Sequence, residues 1–162
     1  MTFADHMERG ETCMEEGRYD DAALEFEAAV KLEPEDPLAY VRRGEARLWQ
    51  GRHDEAIGDF DRAIELAPDD PLPYASRGET RLDQEEYEKA IGDFNEAIRL
   101  APDVPLFYVS RGRAYRQAGR RMPAIADLEK ALSLDPGLNW AEQELRELHG
   151  LREQIGFWGG FF

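Results

Sequence analysis

At 162 residues, 42% hydrophobic and 34% charged, the chain is long enough for one domain with a real core and has the composition of a helical protein with a solvated face. A net charge of −15 argues against nucleic acid or an anionic membrane surface as the main partner, because both require basic neutralisation. The single cysteine, Cys13, excludes an internal disulfide framework. The start, "MTFADHMERGETCMEEG", has no apolar leader, and no run of about 18 apolar residues occurs, so a cytoplasmic protein without a membrane span is expected.

From residue 3 the chain repeats itself every 34 residues, in copies spanning 3–36, 37–70, 71–104 and 105–138. Glycine recurs at Gly10, Gly44, Gly78 and Gly112. Alanine recurs at Ala22, Ala56, Ala90 and Ala124, and again at Ala29, Ala63, Ala97 and Ala131. Pro34, Pro68, Pro102 and Pro136 follow, and an aromatic column reads Phe26, Phe60 and Phe94, then Leu128. The second copy shows what one unit builds. "PLAYVRRGEARLWQ" reads as a first helix opened by Pro37, whose missing N–H costs nothing there. Gly51 breaks it, and "HDEAIGDFDRAIEL" reads as a second helix with Ala56, Ile57, Phe60, Ala63 and Ile64 on one face. Gly44 and Ala56 let the pair approach closely, Phe60 fills the space beside them, and Pro68 stops the second helix. The third copy has Glu85 where Gly17, Gly51 and Gly119 stand, so its turn must use an ordinary residue. In the fourth copy Pro123 falls in a first helical turn, where it is tolerated. Beyond the copies, residues 139–155 read as a ninth, capping helix, with Ala141, Leu145, Leu148 and Ile155 on a stripe interrupted by Arg152. The tail, 156–162, is "GFWGGFF", whose glycines disfavour continued helix.

These columns resemble the tetratricopeptide repeat (TPR), the 34-residue helix–turn–helix family, over residues 3–138. The resemblance implies an all-α, right-handed superhelical solenoid of four repeats plus a C-terminal capping helix, with first helices lining a concave groove. It also implies a non-enzymatic protein–protein interaction module. Carried over by column, the groove comprises Leu38, Leu72 and Leu106; Met7, Val41 and Val109; Glu11, Glu45, Glu79 and Arg113; and Trp49 and Asp83. The chaperone-binding subclass grips a C-terminal carboxylate with Lys and Asn at such positions. Apolar and acidic residues stand there in this chain, which suits instead a protein or peptide segment with apolar anchors and Lys or Arg. Trp49 is either the main aromatic anchor or packing against the neighbouring repeat.

No catalytic constellation accompanies the repeats. His6, His53 and His149 lie in different segments without a second ligand at metal spacing, so no metal, cofactor or enzymatic activity is expected. Cys13 shares a column with Arg47, Arg81 and Tyr115 and reads as a semi-buried structural thiol. Arg9, Arg43, Arg77 and Arg111 precede the repeat glycines, and Glu25, Asp59, Asp93 and Asp127 follow sixteen residues later. That spacing predicts ion pairs between first and second helices, within a repeat or across to the next; the alternative is a row of arginines available to a ligand. Charge is also uneven. The first copy has three basic and twelve acidic residues, a net of −9, whereas the fourth has six and three, a net of +3, with Arg111, Arg113, Arg116, Arg120 and Arg121 crowded together. Either these are solvated faces, or the polarity drives head-to-tail self-assembly, an alternative function in which the partner is a second copy. Phe157, Trp158, Phe161 and Phe162 then read either as a lid over the cap or as a self-association motif.

Overall fold

A computed structural model describes the backbone of residues 1–158 and the side chains of residues 1–150. Among the described residues the chain forms helices and no strand: α1 (Phe3–Glu15), α2 (Tyr19–Leu32), α3 (Pro37–Trp49), α4 (His53–Leu66), α5 (Pro71–Asp83), α6 (Tyr87–Leu100), α7 (Pro105–Gln117), α8 (Arg121–Leu134) and α9 (Asn139–Trp158). Each helix packs on the next in the chain. The odd-numbered helices also approach one another directly, α3 to α5 and α5 to α7, and the even-numbered ones do not come as close. The stack therefore curves with its first helices on the inner side.

Helix boundaries follow from local chemistry. Pro37, Pro71 and Pro105 open α3, α5 and α7; Asp36 caps α3 by accepting the Ala39 N–H, and Asp70 caps α5 by accepting the Leu72 N–H. Thr2 and Asp5 form a reciprocal capping box at α1. Each first helix ends in the same six-to-one and five-to-two turn. In the first copy the Arg18 N–H donates to the Cys13 carbonyl and the Gly17 N–H to the Met14 carbonyl. Gly17, Gly51 and Gly119 sit there at φ between 72° and 74°, and Glu85 takes the same left-handed conformation at φ 61°. A side chain there costs about 1–2 kcal/mol, partly offset because glycine loses more freedom on folding. Glu85→Gly is thus expected to stabilise the protein by roughly 0.5–1 kcal/mol; an unchanged or lower urea midpoint would contradict this.

Within each pair the glycine column meets the aromatic column. A Cβ at Gly10, Gly44 or Gly78 would come within 2.5, 2.7 or 2.9 Å of the ring of Phe26, Phe60 or Phe94, so only glycine lets the two helices close over the ring. Between pairs, a tyrosine fastens each first helix to the preceding linker. The hydroxyls of Tyr40, Tyr74 and Tyr108 donate to the carbonyls of Pro34, Pro68 and Pro102.

α9 takes the place of a fifth first helix. Ala141 and Leu148, aligned with the buried Phe107 and Ala114, are buried against α8, with Leu145 half-buried beside them. Gln143 and Arg146 replace Val109 and Gly112, the residues that would face a following second helix, and both are exposed. One face of the cap thus keeps the repeat interface and the other is adapted to water. The helix runs on past the expected end at residue 155 to Trp158. Gly156 weakens a helix by only about 1 kcal/mol relative to alanine and need not end it.

Candidate interaction surface

The exposed face of the first helices is built from one stripe per repeat. On α3, Leu38, Arg42, Glu45 and Trp49 stand at helical spacings of four, three and four, which places them on one side. Leu72, Ser76, Glu79 and Asp83 form the equivalent stripe on α5, and Leu106, Ser110, Arg113 and Gln117 that on α7. Neighbouring stripes touch. Arg42 reaches from α3 to Glu11 on α1 (Nε to Oε1, 3.0 Å) and also binds Glu45 on its own helix (2.9 Å). Arg113 and Ser110 on α7 both donate to Glu79 on α5. These contacts join the stripes of α1 and α3 and those of α5 and α7, and α3 and α5 themselves approach directly.

The exposed apolar side chains of this face are a row of leucines and Trp49. Leu38, Leu72 and Leu106 are 46%, 54% and 55% exposed, each on the first turn of its helix. Trp49 is 65% exposed yet stacks on Tyr19 of the preceding repeat, with ring centroids 5.6 Å apart and planes 15° from parallel. The expected packing on a neighbouring repeat is realised there, and an open ring surface remains. Asp83 is exposed and Met7 half-buried. Val41 and Val109 are corrected: at 4% and 1% exposure they lie in the core beneath the face and offer no contact surface. Their helical position is turned about 60° from the stripe, towards the partner helix of the pair. The acidity expected of this face is also partly cancelled from within, since Glu11 and Glu45 share Arg42, and Glu79 is bound by Arg113 and Ser110. Arg42 was missed because it stands alone among Glu8, Ser76 and Ser110, and a search for constant columns passes over it.

The arginine column is structural. Arg43, Arg77 and Arg111 bind Asp59, Asp93 and Asp127 at 2.6, 2.7 and 2.6 Å, and Arg9 binds Glu25 at 2.9 Å. Arg77 also crosses to Asp61 of the preceding repeat (2.6 Å), and Arg111 to Asn95 (2.8 Å). Both routes open in the sequence, within a repeat and across to its neighbour, are thus used. Burial pulls the Arg77 guanidinium down, and its hydrogen bonds to Asp93 and Asp61 more than reverse this, leaving it above its ordinary value. For Arg111 the bond to Asp127 dominates and raises it likewise. Arg47 and Arg81 add a second cation to Asp59 and Asp93, each at 2.7 Å; Cys13 and Tyr115 occupy that column in the outer copies. Cys13 is buried, as expected of a structural thiol. Asp59, Asp93 and Asp127 are almost fully enclosed, so a ligand cannot reach these three acids without opening the stack, whereas Arg9 of the first pair is largely exposed.

The crowded arginines of the fourth copy are likewise engaged. Arg113 binds Glu79, Arg116 binds Glu144 and Glu147 of the cap, Arg120 approaches Glu88, and Arg121 donates to the Leu148 carbonyl. Each of these arginines therefore already has a partner on a neighbouring helix. The expectations for Phe157, Trp158, Phe161 and Phe162 concern side chains outside the described residues. Among the described residues no group of three or more His, Cys, Asp or Glu side chains is arranged to hold a metal ion, and no helix is long and apolar enough to cross a membrane.

A stack of helix pairs with an ordered, solvent-facing inner surface is the form of a repeat protein that binds other proteins. The chain belongs to the tetratricopeptide repeat family, whose model matches residues 8–71 and again 76–139. No curated protein matches it. Among solved structures, MamA from Desulfovibrio magneticus RS-1 is similar at 21% identity and a TM-score of 0.83, covering 93% of this chain and 85% of that one. TTC0263, a thermophilic TPR protein in Thermus thermophilus, is similar at 24% identity and a TM-score of 0.79, covering 91% and 81%. The first TPR of Spaghetti (RPAP3), solved bound to the HSP90 peptide SRMEEVD, is similar at 26% identity and a TM-score of 0.70, covering 72% and 93%.

Proposed function

We propose that this protein is a non-enzymatic interaction module that binds a linear protein segment along the exposed face of its first helices. The observation carrying this reading is the row of Leu38, Leu72 and Leu106 in the second to fourth repeats, held partly open on the first-helix face, where side chains join α1 to α3 and α5 to α7. Large apolar side chains left about half exposed and repeated in register offer a ligand regularly spaced contacts. Rigid stacked helices lose little conformational freedom on binding, which favours affinity. The RPAP3 domain was solved with a peptide bound to this fold, but the acidic residues of that peptide would meet carboxylates here. The suitable ligand for this face has apolar anchors and Lys or Arg.

Self-assembly by charge polarity has less support, because the fourth copy's arginine cluster is already paired. The test is capture of partners on immobilised protein, comparing wild type with Leu72→Glu on the inner face and Leu24→Glu on α2. Both leucines are highly exposed, so both variants should melt like wild type. Leu72→Glu is expected to lose at least about tenfold of the bound partner, a cost of about 1.4 kcal/mol, and Leu24→Glu to keep it. Loss in Leu24→Glu alone would move the binding surface to the second helices and overturn the proposal.

A further inference from the structure

The leucine row does not stop with the repeats. Counting 34 residues on from Leu106 reaches Trp140, on the first turn of the cap helix and 47% exposed, close to the exposures of Leu38, Leu72 and Leu106. α9 holds its buried columns in register with the preceding first helices through Ala141 and Leu148, so Trp140 stands where a fourth rung belongs. Residues one turn on carry the face across this boundary. Glu144 and Glu147 of the cap are bound by Arg116 of α7, as Glu11 of α1 is bound by Arg42 of α3. Among the described residues no aromatic ring stacks on the indole and no cation lies over it, and Asn139, Glu142 and Gln143 around it are exposed.

Resting on the interaction reading above, we infer that Trp140 is a ligand-binding residue, and that the protein selects an extended basic segment whose apolar side chains recur every third residue over four rungs. α3 lies directly against α5 and α5 against α7, and helices in direct contact lie about 8–10 Å apart, so the rungs on them are spaced on that order, with Arg116 bridging α7 to the cap. A polyproline-II segment advances about 3.1 Å per residue with three residues per turn, and so presents one side chain per rung on a single face. Its backbone groups stay free of internal bonds. One turn beyond Leu72 stands Ser76, whose hydroxyl is suited to bond them. Charge favours a basic occupant: Arg42, Arg113 and Arg116 already hold Glu11, Glu45, Glu79, Glu144 and Glu147, while Glu8, Glu15 and Asp83 on the same face have no described ion pair.

The probes are labelled synthetic peptides followed by fluorescence anisotropy: ten residues with leucine at positions 1, 4, 7 and 10 and Lys, Gln and Pro between; the same composition with leucines redistributed; a three-leucine version; and a helical peptide with leucine every seventh residue. The in-register peptide is expected to bind wild type at least about tenfold more tightly than the redistributed one. Trp140→Ala should weaken the four-leucine peptide about tenfold and leave the three-leucine peptide nearly unchanged, because the latter fits Leu38, Leu72 and Leu106 alone. Equal binding of the two ten-residue peptides, no binding of either, preference for the seven-residue period, or equal losses with three and four leucines would each overturn the inference. So would light scattering showing that a second copy occupies the face and that Trp140→Ala abolishes this. The broader reading fails separately: it stands if Leu72→Glu abolishes partner capture whatever the peptide register, and falls if Leu72→Glu changes nothing while partner is still bound.

Discussion

Arg111→Leu is expected to destabilise the protein by about 3 kcal/mol, more than any other single arginine replacement in its column, because it leaves a buried carboxylate with no cation. Asp127 is enclosed, and Arg111 supplies its only described hydrogen bonds, at 2.8 and 2.6 Å. The same change removes the guanidinium from over the Tyr108 and Tyr115 rings and breaks the bond to Asn95 of the preceding repeat. Arg77→Leu should cost roughly half as much, since Arg81 remains on Asp93 at 2.7 Å. Urea denaturation followed by circular dichroism compares the two directly. Equal losses would show that the second cation contributes nothing. Unchanged stability with lost partner binding would return the column to a ligand role.

The second large effect distinguishes glycines that look alike. A Cβ on Gly44 would sit 2.7 Å from the Phe60 ring, which is itself fully buried and cannot retreat. Gly44→Ala should therefore cost about 1–3 kcal/mol by overpacking. In the fourth copy Leu128 replaces the phenylalanine, and a Cβ on Gly112 would meet only ordinary contacts, at 3.4 Å from the Ala124 carbonyl and 3.6 Å from Leu128. Gly112→Ala should be neutral or stabilise by up to about 1 kcal/mol, through the restricted unfolded chain. Thermal melting of the pair checks this, and a comparable loss in both would refute the role given to the aromatic ring.

The contrast shows where the sequence is legible. Columns whose partner column also repeats, such as Gly10, Gly44 and Gly78 against Phe26, Phe60 and Phe94, record packing that those units solve alike, so their partners and helix boundaries could be read directly. Residues that break a column carry information that only geometry decodes. Leu128 loosens the contact at Gly112, Glu85 bears a strained turn, and Tyr115 removes a cation from Asp127. The surface was harder to read than the core for the same reason. The leucine row followed from its period, but Val41 and Val109 differ from it by only part of a helical turn, which is enough to bury them. Charge was the hardest to read, because a count of arginines cannot show that Arg111, Arg113, Arg116, Arg120 and Arg121 each have an acidic or carbonyl partner across a helix boundary. Trp140 escaped notice because the repeat was expected to end at residue 138, although the spacing continues through it.

Whether partners bind the first-helix face is tested most directly by side-chain footprinting with hydroxyl radicals. Exposed apolar residues lie on both sides of the stack: Leu38, Leu72, Leu106 and Trp140 on first helices and the cap, Leu24 and Met122 on second helices. With a captured partner bound, oxidation is predicted to fall at the first set and to stay unchanged at Leu24 and Met122. Protection confined to Leu24 and Met122, with the leucine row still fully reactive, would contradict it.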